Sequence, residues 1–310
     1  MMFDTLQVPV AIKKVKTRHK FFGWPVLRVT LSIQDKTVAL ISFAKTGRGW
    51  YAMPHTDSLG MWFDSSAFEH NATDAMNKLL TGSGLFDDSE PLGIRSTLPL
   101  LSYRTEHKVI SVISLEGGYD AVMSRLNSNV RRKISRAARY GIVVKHSGTE
   151  LTDDFYSVYR KTIHKHGSFG MPKDFFRNIE PEEGSLFVAY LNNKPIGSAR
   201  LSLLMDSAEN TAFATLPCYN KLYTSYALHH AMIQHALENG CTIYSFGRST
   251  RGSSVHRFKQ QWGAIDKVLY YNSTHPVKAP GNHTLIRKII RRLPMWVSAA
   301  FDRFVAERIF

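Results

Sequence analysis

The stretch SFGRSTRGSSVHRFKQQWGA (Ser245–Ala264) gathers Arg248, Phe258, Lys259 and Trp262 between an apolar run and a tryptophan. Such a mixture suits a surface loop, a nucleic-acid contact or part of an acyl-transfer site. Arg248 follows a strand and a glycine, and α/β folds place ligands at strand ends. A guanidinium there either grips a phosphate or carboxylate at two points or makes a structural ion pair. Phe258 and Trp262 suit stacking on a base or sugar, or burial in a core. By spacing alone, Lys259 reads as a solvated surface lysine, as most lysines are.

Other residue types narrow the chemistry. The 120–140 segment carries Arg125, Arg132, Arg136 and Arg139, which gather on one face at about 100° per residue. With almost no acids after Asp120, these cations repel one another. A polyanion such as transfer RNA would relieve that, as would acids from elsewhere in the chain. No RRM or KH pattern accompanies them. His229, His230 and His235 fall on one predicted helix without an i, i+4 pair, so no metal centre is expected from them. His229 lies in the apolar stripe and reads as a core histidine. Asp57 and His55 are candidate bases from the first half. Neither a Gly-x-Ser-x-Gly elbow nor a Walker loop occurs, so serine hydrolases and P-loop NTPases are unsupported.

The elements that must hold these residues alternate between α and β. Strands are expected over 22–53, with a hairpin at Gln34-Asp35-Lys36, then a helix over 65–84 and a strand near 108–114. One long helix from about Asp120 to Gly141 carries Val122, Met123, Leu126, Val130, Ile134 and Ala138 as its apolar stripe. Helices then begin near Thr152 and at 174–179. A hairpin turns at Asn192-Asn193-Lys194, a strand covers 210–216, and a helix starts at Thr224 or Ser225. The strand CTIYSFG, a short helix and a last strand, IDKVLYYN, complete the order. In the tail, Leu285, Ile286, Ile289, Ile290 and Leu293 form one helix face and Arg287, Lys288, Arg291 and Arg292 the other. Such a helix packs on the body of the protein or lies on anionic lipid.

The formal charge is +15 over 310 residues, which favours an anionic partner without choosing one. Two cysteines without metal-ligand spacing point to a reducing compartment, and the order of apolar and basic residues at the N-terminus is not that of a signal peptide. A cytoplasmic protein is expected, in peripheral contact with the inner face of the membrane if the tail meets lipid.

The segments LNSNVRRKISRAARYGIVVK (126–145), YRKTIHKHGSFGMPKDFFRNI (159–179) and HALENGCTIYSFGRS…FKQQWGA…LYY resemble the FemAB-type aminoacyltransferases, within the GNAT superfamily. The resemblance covers residues 120–272 and is nearest the branch associated with exosortase and exopolysaccharide systems. MPHTDSLG, with Asp57, is similar to the family's Pro-x-x-Asp-x-Gly loop. Three features depart from the pattern, one of them the absence of the usual tryptophan in the helix before the signature strand. Ser245 stands where the strand usually has aspartate, and PCYNKLYTSYAL replaces the glycine loop whose amides hold coenzyme A phosphates.

The resemblance implies an α/β fold of two tandem GNAT-like domains with mixed sheets and C-terminal amphipathic helices. The expected divisions are 1–118 for a degenerate N-terminal domain, 119–275 for the domain carrying the signature, and 276–310 for the basic tail. It implies an acyltransferase that moves an acyl group from aminoacyl-tRNA or acyl-CoA to an amine on a nucleotide-linked or lipid-linked saccharide or peptide of the envelope or an exopolysaccharide. Lys259 would support the transferring carbonyl or nearby phosphates, with Arg248 and Asp57 as further catalytic candidates and Phe258, Arg132 and Arg136 as donor-binding ones. The alternative is a non-catalytic GNAT-fold protein that binds polyanions or assists a polysaccharide assembly complex. A small-molecule GNAT acetyltransferase is disfavoured by the missing glycine loop.

Overall fold

The computed structural model describes residues 10–53, 60–64, 66, 72–82, 84–87, 89–178, 184–276 and 284–308. The chain divides into two compact units. One gathers residues 1–110 and 267–279, the other 111–266 and 280–309. The chain therefore builds most of the first unit, then the second, returns to the first for one strand, and ends in the second.

The first unit is a mixed sheet. β1 (Val10–Arg18), β2 (Pro25–Ile33), β3 (Lys36–Thr46) and β4 (Gly49–Ala52) run antiparallel in turn, and β5 (Met61–Phe63) also pairs β3. β6 (Leu92–Ser96) lies parallel to β4 and antiparallel to Tyr270–Ser273 of the last strand, β13 (Ile265–Ser273). The β2–β3 turn forms because Gln34 and Asp35 both take positive φ, 48° and 62°. That is the two-residue turn whose twist matches the strands it joins. Leu31, Ile41, Phe43 and Leu92 are buried with Met76 and Leu79 of α1 (Ala72–Gly82).

The second unit begins within β7 (Tyr103–Ser114). Its sheet runs from β12 (Ile243–Ser249) through β11 (Ser207–Thr215), β10 (Lys194–Leu204) and β9 (Gly184–Leu191) to the edge strand β8 (Val143–Ser147). Of these four pairings, β11–β12 is parallel and the other three are antiparallel. Both faces are covered. Phe187, Ala189, Ala199 and Leu201 join the core under α6 (Thr224–Glu238), while α4 (Thr152–His166) packs on β10 and β11. Arg200 sits over the Phe175 ring of α5 (Lys173–Arg177) at 5.2 Å. Strands buried on both faces read as unbroken apolar runs, as FVA at 187–189 does. The β9–β10 hairpin turns at Asn192 and Asn193, again both at positive φ.

The long helix expected from Asp120 is two helices, α2 (Gly118–Arg125) and α3 (Ser128–Arg139). Leu126 is extended (φ −67°, ψ 142°) and the Asn127 side chain accepts from Asn129 N at 2.8 Å, so a new N-cap interrupts the pattern. The break removes Arg125 from the expected arginine face. Its guanidinium instead donates to Ser114 O and Glu116 O.

The C-terminal helices α8 (Thr284–Arg292), α9 (Met295–Ala300) and α10 (Asp302–Ala306) belong to the second unit. Arg160 of α4 pairs with Asp302 at 3.3 Å and donates to Ser298 Oγ, and all three side chains are buried. Removing one partner of such a pair leaves an uncompensated buried charge.

Candidate functional site

The second unit opens where its parallel strands part. β11 and β12 pair over three positions only, Ser207–Glu209 with Ile243–Ser245. Beyond them β11 continues on β10, while Phe246–Ser249 run on without it. Pairing therefore ends at Ser245. Its hydroxyl accepts from Gly247 N at 3.1 Å and Gly247 takes φ 71°, so serine and glycine together bend the strand end.

α7 (Ser254–Gln260) follows a turn, and Ser253 caps it by accepting from His256 N. The cap aims Lys259 inward. This lysine is 4% exposed, and its Nζ donates to Gly247 O at 2.6 Å and to Arg248 O at 2.9 Å. The reading of Lys259 as a solvated surface side chain is thereby replaced by a buried ammonium at the end of β12. Arg248 itself is exposed.

An aromatic cluster lies beside the lysine. Trp262 is buried, and its ring is 5.7 Å from Tyr226 and from Phe246 and 6.4 Å from the half-buried Phe258. His229 stacks on Phe213 at 4.5 Å and shares a 2.7 Å hydrogen bond with Tyr244 OH. Burial first and Lys259 second push its pKa well below the usual histidine value, so it is a neutral core residue. Trp262 Nε1, Ser249 Oγ and Asn210 Oδ1 are buried without a protein partner. Buried polar atoms normally find one, so these three are available to water or a ligand.

The structure adds residues that spacing alone does not single out. Lys133 of α3 donates to Tyr226 OH at 2.8 Å and to Gln261 Oε1 at 2.9 Å, reaching the same aromatic cluster. His256 Nδ1 accepts from Gly252 N at 3.0 Å, so its Nε2 carries the proton and donates to Asp266 Oδ2 at 2.6 Å. Asp266 also accepts from Ser111 Oγ and Gln260 Nε2. This network fixes the turn before α7. Lys133 stands within an arginine-rich run that reads as one charged face, and Asp266 is distant in sequence from Ser111, so neither signal is local.

The other expected residues fall in different places. Arg132 and Arg136 are exposed on α3, bonded to Asn129 Oδ1 at 2.8 Å and Tyr223 OH at 3.4 Å. Asp57 and His55 lie outside the described residues. Pro217–Leu222, where the glycine loop is missing, forms a 3-10 turn that leads through Tyr223 at positive φ into α6.

A family model for the acetyltransferase (GNAT) domain matches residues 124–260, which contain α3, the split sheet and Lys259. A UDP-N-acetylmuramoylpentapeptide-lysine N(6)-alanyltransferase of Weissella viridescens is 28% identical over 160 residues, 46% of this chain and 47% of that protein. The match thus spans about half the length of that relative. Among solved structures, FemX superposes with a TM-score of 0.63 over 87% of this chain and 92% of its own, at 14% identity. L-PGS from Bacillus licheniformis follows at a TM-score of 0.50 over 83% and 87%, at 11% identity, a likeness of fold. The fold is that of the GNAT acyltransferases, with mixed sheets and helices at the C-terminal end. Residues 124–260 thus match the GNAT domain, and the chain is similar to the alanyltransferase in sequence over about half its length and to FemX in fold.

Proposed function

We propose that this chain transfers an aminoacyl or acyl group from aminoacyl-tRNA or an acyl-CoA to an amine on a lipid-linked or nucleotide-linked precursor of the cell envelope or of an exopolysaccharide. The observation that carries this reading is the buried ammonium of Lys259 at the point where β11 and β12 part. In the transfer, the acceptor nitrogen forms a bond to the carbonyl carbon and the C–O or C–S bond to the donor breaks. The nitrogen loses a proton and the leaving oxygen or sulfur gains one. A fixed cation beside the carbonyl stabilises the oxyanion formed between these steps. Lys259 also holds the Gly247 and Arg248 carbonyls, which positions Arg248 toward a phosphate or carboxylate.

The tRNA donor is supported by Arg132, Arg136 and Arg139, exposed on a helix without acids. Coenzyme A has less support, because Pro217–Leu222 replaces the glycine loop. A lipid-linked acceptor is supported by α8–α10, where Leu285, Ile286, Ile289, Trp296, Phe301 and Phe304 are at least 48% exposed beside Arg287, Lys288, Arg291 and Arg292. That surface suits the inner face of an anionic membrane for a cytoplasmic protein. The exposed cations of α3 would equally serve a non-catalytic polyanion-binding protein, and the two readings part at Lys259.

Lys259→Met keeps the side-chain length and removes the charge. Transfer of radiolabelled alanine from alanyl-tRNA to a UDP-linked or lipid-linked muropeptide should fall by about 100-fold or more, the scale of losing one oxyanion donor. Wild-type rates in this variant, at equal protein level and equal Tm, would remove Lys259 from catalysis and favour the binding protein. Thermal shift with acetyl-CoA against alanyl-tRNA separates the donors.

A further inference from the structure

We propose that His146, His235 and Glu238 form a zinc-binding site that clips the edge strand β8 to the last turn of α6. One ligand atom from each lies within 4.8 Å of the other two. Around zinc, bonds of about 2.0–2.2 Å put tetrahedral ligand atoms roughly 3.3 Å apart, so rotation of two exposed side chains closes the set. His146 comes from β8, and its ring centroid is 4.6 Å from that of His235. His235 and Glu238 are spaced i, i+3 on α6, one helical turn, with Nδ1 and Oε2 3.8 Å apart.

The surroundings of His235 add to this. Its Nε2 meets Ser185 Oγ at 3.3 Å and accepts from Asn239 Nδ2 at 3.4 Å, contacts that hold the ring in place. Nδ1 is buried and has no hydrogen-bond partner in the protein. It faces Glu238 Oε2 across 3.8 Å, a gap that a cation bound by both atoms would bridge. Two imidazoles and one carboxylate suit zinc, whereas magnesium and calcium prefer oxygen sets. The site lies at the β8 edge, four strands from β12, so its role is to fasten that edge and not to take part in group transfer. A covered edge also resists pairing with another chain.

The test uses the full chain, stripped of metal by chelation and free of any histidine tag. Zinc titration should give one equivalent bound per chain and a raised Tm, with no shift from magnesium. Cobalt(II) in place of zinc should give the visible bands of a tetrahedral site. His146→Ala and Glu238→Gln alter exposed side chains, and circular dichroism verifies their fold. Each should weaken zinc binding at least tenfold. Absence of zinc uptake by the wild type, or unchanged uptake in the double variant, overturns the proposal.

Discussion

α3 and α8 read alike as sequences. Each is a short helix rich in Lys and Arg, without acids, with an apolar stripe opposite its charges. The fold treats them differently. α3 buries Val130 and Ala137 against the core under α6, and Arg131 closes the end of α2 through the carbonyls of Met123, Ser124 and Leu126. What remains outward is charge, chiefly Arg132, Arg136 and Arg139. α8 buries Ile290 alone, at 3% exposure, and presents both its cations and its apolar residues to solvent. A face of charge alone attracts a polyanion through counterion release. A face that pairs cations with exposed leucine and isoleucine suits the boundary of an anionic bilayer. Amphipathic pattern therefore does not separate an inward helix from an interfacial one; burial of the stripe does.

Four experiments can break or sharpen that contrast. The largest effect is expected at the latch that holds the tail. Asp302→Ala strands the buried Arg160 charge and should cost about 3–5 kcal/mol, seen as faster hydrogen exchange in α4 and α8–α10 and a lower Tm. Unchanged protection would mean that the tail is held elsewhere, and that α8 is not the loosely attached member of the pair.

Next is the frame on which α3 rests. His229 is held neutral, with its pKa well below the usual 6.5, whereas the unfolded chain takes up that proton near 6.5. The stability it contributes is therefore complete above pH 6.5 and is lost as pH falls toward its folded pKa. His229→Phe should flatten that acid limb of Tm against pH. An unaltered limb would assign the acid sensitivity to other groups.

On the α8 side, Ile289→Ala with Trp296→Ala should weaken binding to vesicles containing phosphatidylglycerol by about tenfold, as expected from lost apolar burial. Binding that depends only on salt would put α8 in the same class as α3. The smallest effect is expected on α3. Arg132→Ala and Arg136→Ala should each lower tRNA affinity a few-fold and reduce the salt slope by about 1. No change in slope would remove α3 from the RNA surface.

The local parts of this architecture were legible in the sequence for local reasons. Asn192-Asn193 and Gln34-Asp35 take the positive φ that their hairpins need. Gly167 ends α4 in the left-handed conformation, and a Cβ there would run into the Arg287 carbonyl. The α2–α3 break was missed because Leu126 and Val130 continue the stripe across it, while Asn127 supplies the cap. β1, β6 and β8 were missed because their signals are short or polar, and pairing with distant strands makes them. The end of β12 was legible as Gly247-Arg248, but the inward turn of Lys259 depends on the Ser253 cap and on two carbonyls twelve and eleven residues earlier. The tail's apolar face was readable, yet its exposure on α8 follows from Ile290 being the one residue of that helix that is buried.

The return of β13 to the first unit bears on how the chain is made. β6 pairs with Tyr270–Ser273, and residues 111–266 intervene between the parts of that unit. At about 5–20 residues per second, a ribosome takes roughly 8–30 s to synthesise the 156 residues (266 − 110) that separate them. During that interval the nascent β6 has an unpaired edge of the kind that recruits chaperones or neighbouring chains. A fragment ending at residue 110 would carry that edge permanently, so the order of synthesis and the choice of truncation point are both constrained by a four-residue ladder.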